Sequence, residues 1–284
     1  MSTYNNIFMF CSCHSYDYRY NAMLKIYKKY MQKDDKIIVL LGSEKTVLNN
    51  DILELNCGDL YENLPEKVVL GIQYIYKHFK FNKLIKVDDD VVINFKKYYE
   101  IINNLPNEKL YYGRSNPPGN KVLPSNVWHI NKCSKTHIYN DKPFPDEFFI
   151  YNREEPIQWP SGGIYVLSND VCEIVNKFSE EDMNVTKRHL YEDLNLRTLL
   201  HKYNIEPTLD KSQMNKNCSD YFLVVLPDEI VKNKSNLKNT SFDNEFYNKY
   251  SNIKSYHIGS LAPSYSINKE EYIEILSILN KFNT

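Results

Sequence analysis

Lys83-Leu84-Ile85-Lys86-Val87-Asp88-Asp89-Asp90-Val91-Val92-Ile93-Asn94 is an apolar strand that runs straight into three carboxylates. Consecutive carboxylates at a strand end repel one another and lose hydration, and a hard divalent cation offsets both costs. In an extended segment Asp88 and Asp90 point to one face, because side chains alternate with a period of two. That pair would grip one metal and leave Asp89 free to accept sugar or ribose hydroxyls. The other reading of the triplet is a solvated acidic turn.

Outward from this stretch the chain alternates strand and helix patterns. Residues 6–11 form an apolar run, and 19–32 carry Met23, Ile26, Tyr27 and Tyr30 at helical spacing. Residues 36–41 read as a buried strand ended by Gly42, and 52–55 as a short one. Residues 61–79 read as a helix with Leu64, Val68, Ile72 and Ile75 on one side. The order β-α-β-β-α-β predicts an α/β fold with a central, mostly parallel, doubly wound sheet. Ligands of such sheets sit beyond the carboxyl ends of the strands, where the triplet lies.

Downstream, strands are expected at 110–113, 126–130 and 163–167, and helices at 169–178 (Ser168 as N-cap) and 190–203. The Asn-, Lys- and Ser-rich stretch 232–250 reads as a flexible loop, and a last helix starts near Asn268 with capping-box spacing. No linker divides the chain. We read 1–284 as one domain, with 1–94 the nucleotide-binding half and 95–284 the acceptor-binding half.

Composition narrows the partners. The 35 basic and 36 acidic side chains leave a net charge of −1, which gives no electrostatic case for nucleic acid or an anionic membrane. Ile7-Phe8-Met9-Phe10 is too short for a signal core or a membrane span, so a cytoplasmic location is expected. The six cysteines show no metal-knuckle spacing, and Cys11 and Cys13 read as free buried thiols. With 24 tyrosines and only 8 glycines, the bias resembles coding from an AT-rich genome such as that of a giant virus or a protist. Where glycine is that scarce, the adjacent Gly162 and Gly163 mark backbone that side chains would obstruct.

Four blocks, in order, resemble the β-1,3-glycosyltransferases of glycosyltransferase family 31, which include galactosyl- and N-acetylglucosaminyltransferases and the fringe proteins. They are Asp59-Leu60-Tyr61-Glu62-Asn63-Leu64-Pro65-Glu66-Lys67, the triplet with its flanks, Trp159-Pro160-Ser161-Gly162-Gly163-Ile164-Tyr165-Val166-Leu167-Ser168, and Tyr191-Glu192-Asp193-Leu194. The likeness covers roughly residues 5–265. It implies a GT-A fold, a UDP-sugar donor, Mn2+ (or Mg2+), inversion at the anomeric carbon and a glycan or glycoprotein acceptor.

The resemblance also implies roles. Asp90 is the direct metal ligand, Asp88 and Asp89 lie near the ribose, the metal or the donor sugar, and His257 completes the metal shell. Asp193 is the general base, a task for a carboxylate whose pKa burial raises. Arg19 sits near the nucleotide. Gly162 and Gly163 admit the donor sugar or acceptor closely, while Trp159 and Glu192 face the acceptor. Two family glycines are replaced here, by Ile164 and Arg197, and both replacements lie toward the acceptor side, so linkage and acceptor do not carry over. No segment of the sequence is expected to serve as the membrane anchor of the Golgi members. The residues alone leave two rivals open: a metal-dependent nucleotide-sugar hydrolase, and a binding protein without catalysis.

Overall fold

Ile7, Phe8, Met9 and Phe10 are all buried, as a strand covered on both faces requires. They form the middle of β1 (Thr3–Cys11), the centre of the computed structural model. That structure describes residues 2–115, 158–210, 224–225, 255–257 and 269–283. After β1 come a single 3-10 turn (His14–Tyr16), α1 (Asp17–Tyr30), β2 (Lys36–Ser43), β3 (Val47–Asn49) and β4 (Ile52–Asn56). Then follow α2 (Leu64–His78), β5 (Lys80–Asp88), β6 (Val91–Ile93), α3 (Phe95–Ile102) and β7 (Tyr111–Ser115). Beyond residue 157 lie β8 (Pro160–Ser168), α4 (Asn169–Asn176), α5 (Glu180–Arg188), α6 (Glu192–Lys202), β9 (Thr208–Asp210), β10 (Val224–Val225), β11 (Ser255–His257) and α7 (Lys269–Leu279).

Among the described residues eight strands form one sheet in the order β3-β4-β2-β1-β5-β8-β7-β9. The neighbours β4/β2, β2/β1, β1/β5 and β7/β9 run parallel, and β3/β4, β5/β8 and β8/β7 antiparallel. The α/β class with a mostly parallel central sheet is as expected, and both halves of the chain contribute strands to it. Alternation along β1 sends Phe8 and Phe10 to one layer and Ile7 and Met9 to the other. The first layer packs Tyr27 of α1, Phe95 and Tyr98 of α3 and Ile275 of α7. The second packs Val68 and Ile72 of α2, Val171 of α4 and Leu199 of α6. The triplet leaves the sheet at the end of β5, beside the end of β1, where Cys11 pairs with Asp88.

Several expectations shift. The 61–79 helix opens with a 3-10 turn (Tyr61–Asn63), since Pro65 in the first turn has no N–H to bond. The 190–203 helix starts at Glu192. Ser168 occupies the N-cap position of α4, but its hydroxyl bonds to Leu110 and Asp170 rather than capping. Cys11 is buried and free, whereas Cys13 is free and only partly buried. The expected strand at 126–130, the loop 232–250 and the cap at Asn268 lie outside the described residues. No helix among the described residues is long and apolar enough to cross a membrane.

Candidate active site

One side of the site begins where β5 stops. Asp88 ends the strand, and Asp89 and Asp90 form a turn before β6. The two-residue alternation expected across the triplet therefore holds only up to Asp88. Asp89 does not stay free: it turns inward, where its carboxylate accepts from Ser12 Oγ at 2.6 Å and pairs with Arg19 at 3.0 Å. Burial and the adjacent Asp90 charge push its pKa up, while Arg19 and Ser12 pull it down.

Arg19 is held between aromatic rings, 3.9 Å over Tyr16 and 5.3 Å from Tyr272. The Tyr272 hydroxyl, from α7, donates to the Asp89 carbonyl at 2.6 Å. Asn283 reaches the same segment from just beyond α7. Its Oδ1 accepts from Phe95 N at 2.6 Å, and its Nδ2 donates to Ile93 O at 3.0 Å. The turn carrying the triplet is thus braced from the far end of the chain.

The other side is built from β8 and the start of α6. Asp193 keeps partial solvent access. Its Oδ2 accepts from Gly162 N at 2.9 Å and its Oδ1 from Leu194 N at 2.8 Å. Burial raises its pKa, opposed by Lys86, these two N–H groups and the Trp159 side chain. Glu192 is buried, takes a hydrogen bond from Tyr165 Oη, and is pushed up to about 7 by burial against the pull of Lys86. A Cβ on Gly162 would lie 3.3 Å from Asp193 Oδ2 and 3.4 Å from Glu192 Oε2. Glycine here makes room for two carboxylates, a role distinct from admitting a sugar. Trp159 is buried beside them.

Lys86 joins the two sides. It is 1% exposed and lies 2.5 Å from Asp88 Oδ1 and 3.1 Å from Glu192 Oε2, while also donating to the Gly162 carbonyl. Sequence reasoning assigned it no role. Asp59 and Lys67 likewise have a structural task that their motif does not reveal. Asp59 accepts from Gly42 N, His14 N and Lys67 Nζ, and Lys67 also donates to Ser12 O, which ties the loop after β1 and the end of β2 to the segment leading into α2. A Cβ on Gly42 would sit 2.4 Å from Gly58 O, so only glycine permits that approach.

Of the metal ligands expected, Asp88 and Asp90 offer hard oxygen donors suited to Mn2+ or Mg2+. Among the described residues no group of three or more His, Cys, Asp or Glu converges to hold an ion. The third expected ligand, His257, has a described backbone: β11 pairs antiparallel with β6, placing His257 opposite Val91, next in sequence to Asp90. The donor chemistry fits a hard cation. Gly163 is in β8, and Ile164, one of the two family departures, is fully buried in the core. Arg197, the other, is bonded to Glu206 at 2.5 Å and to Gln158 O at 3.4 Å. Both replacements are absorbed by packing.

His189, just ahead of α6, yields a prediction. Tyr191 N–H donates to its Nδ1 at 3.1 Å, which needs that nitrogen unprotonated, and burial pushes the ring down to about 3. The unfolded ring titrates near ~6.5. Between those values the unfolded chain binds more protons, so stability falls as pH drops from about 6.5 toward 3, by at most ~1.4 kcal/mol per pH unit. Urea midpoints from pH 7 to 4 should fall less steeply in His189→Gln than in the wild type. Parallel profiles would remove His189 as a source of acid lability.

The sequence profile of the family described as galactosyltransferase matches residues 27–211. No curated protein matches the chain. Among solved structures, the galactosyltransferase LgtC in complex with donor and acceptor sugar analogs is 10% identical, with 97% of this chain and 95% of that one covered and a TM-score of 0.48. The glycosyltransferase GlyE of Streptococcus pneumoniae is 10% identical over 98% of this chain and 63% of its own, with a TM-score of 0.45. The bifunctional glycosyltransferase WbbM is 13% identical over 97% of this chain and half of its own length, with a TM-score of 0.48.

Proposed function

Because the chain belongs to the galactosyltransferase family, we propose that it moves a hexose or N-acetylhexosamine from a UDP-sugar to an acceptor hydroxyl. The GT-A architecture, inversion at the anomeric carbon and a β-1,3 linkage on a glycan or glycoprotein form part of the same reading. The observation that supports it best is the linkage of a strand-end carboxylate, Asp88, through Lys86 and Gly162 to the carboxylate Asp193. An acidic donor suited to a diphosphate-bound cation and a candidate base thus share one hydrogen-bonded network centred on the buried Lys86.

In this mechanism Asp193 accepts the acceptor hydroxyl's proton as that oxygen attacks the anomeric carbon. The bond from that carbon to the β-phosphate oxygen breaks on the opposite face, and UDP departs. Asp88, Asp90 and His257 would hold Mn2+ or Mg2+, which supplies positive charge against the leaving diphosphate. Arg19, fixed by Asp89 and two tyrosines, adds a fixed positive charge at the same end of the site. Glu192 and Trp159 flank the base on the acceptor side. The burial of Ile164 in the core and the pairing of Arg197 with Glu206 accommodate both replacements, which favours a working enzyme over a binding protein.

The test is a panel of UDP-sugars, scored by thermal shift and by UDP release with Mn2+ and with EDTA. One UDP-sugar should raise the melting temperature in the presence of metal and release UDP on addition of acceptor. Absence of any response across the panel, with Mn2+ present, would sink the UDP-sugar reading.

A further inference from the structure

Three oxygens surround one buried ammonium. Lys86 Nζ donates to Asp88 Oδ1 and to Gly162 O, and Glu192 Oε2 completes the surround as an ion pair at 3.1 Å. Each comes from a different element, namely the end of β5, the start of β8 and the first residue of α6. The backbone ladder between β5 and β8 reaches only as far as Val87 opposite Ile164. Past that point the two strands are held by the Lys86 side chain. The Tyr165 ring, 5.6 Å away, closes over the same ammonium.

Gly162 carries the arrangement one step further. Its carbonyl is taken by Lys86 and its N–H is given to Asp193 Oδ2 at 2.9 Å. Gly162 thus links the Lys86 ammonium to the Asp193 carboxylate. Asp193 is also held by its own neighbour's N–H, from Leu194, and by the Trp159 side chain. No other cation among the ion pairs of the described residues reaches Glu192.

We propose that Lys86 is a positioning residue: it fixes the base Asp193 against the donor-side carboxylate Asp88 by gripping Gly162 and Glu192. This rests on the reading of the reaction given above. Lys86 is 1% exposed, and its effect is transmitted through Gly162.

Lys86→Met, which keeps the chain's length and removes its charge, carries the test. Two readouts are followed: hydrogen exchange at the Gly162 amide, and kcat separately from the KM values for donor and acceptor. Loss of the grip should speed Gly162 exchange and lower kcat by about 10–100-fold, as loss of groups that orient a reacting residue does, with both KM values within about threefold of wild type. If Lys86→Met does not fold, the same readouts are compared between Lys86→Met/Glu192→Gln and Glu192→Gln alone, which removes the carboxylate left without a counter-charge. A folded variant with wild-type kcat, or with Gly162 exchange unchanged, overturns the proposal. Wild-type protein that transfers no sugar instead overturns the reading of the reaction, while the exchange result still decides whether Lys86 holds Gly162.

Discussion

Replacing Asp193 by asparagine should lower kcat by about 10²–10⁴-fold, the usual span for loss of a general base, while a UDP-sugar still binds. The substitution preserves shape and removes the charge that would accept a proton. An asparagine carbonyl can still take the Gly162 N–H, so the β8 edge keeps its partner. The Leu194 N–H would then face an amide NH2, at a stability cost of about 1–3 kcal/mol. That cost leaves a folded protein whose donor affinity is measurable by calorimetry. In the wild type, burial sets the Asp193 pKa above the ordinary carboxylate value, so transfer should rise with pH as the base deprotonates. The acid limb of the rate profile should fall above ~3.9 and vanish in the variant. Transfer at an undiminished rate would move the proton to another group, with Glu192 the carboxylate adjacent in sequence.

Tyr272→Ala should cost about 3–5 kcal/mol, the range for deleting a large buried side chain, out of a total margin of ~5–15 kcal/mol. Tyr272 is 1% exposed and packs with Ile275 and Leu276 of α7 into the first core layer. Its ring also walls in Arg19, and its hydroxyl holds the Asp89 carbonyl. The substitution should weaken UDP-sugar binding as well, by about tenfold, since the triplet's turn loses its brace. Tyr272→Phe separates the two effects. It keeps the ring and leaves the Asp89 carbonyl without this donor, which costs about 1–3 kcal/mol. Urea midpoints of both variants give the comparison. A Tyr272→Ala protein within roughly 1 kcal/mol of wild type would show that α7 does not brace the site.

The sequence makes the first half legible because β1 and β2 contain continuous apolar runs and the first two helices carry apolar residues at helical spacing. β1, β2, β4 and β5 all appear near their expected bounds. What escaped was short or masked by the triplet itself. β6 is only three residues long and follows the acidic turn directly. α3 was missed although Asn94 caps it and Phe95, Tyr98, Tyr99 and Ile102 are spaced as one helical face. In the site, single residues with charge at motif positions were readable, whereas the contacts between them were not. Lys86 looks like ordinary polar punctuation in a strand, because its Gly162 partner lies 76 residues away. Asp89 looked available because nothing local reveals that Arg19, 70 residues earlier, is aimed at it.

The brace on the triplet has a consequence for biosynthesis. Asp89 and Tyr272 are separated by 183 residues, so a ribosome adding about 5–20 residues per second needs roughly 10–40 s to produce the second after the first. During that interval the nascent chain can pair β1, β2, β4 and β5, all of which precede residue 89. The acidic turn must wait. Its final shape is acquired only after residues 272–283 are clear of the exit tunnel, so the donor end of the site is completed last.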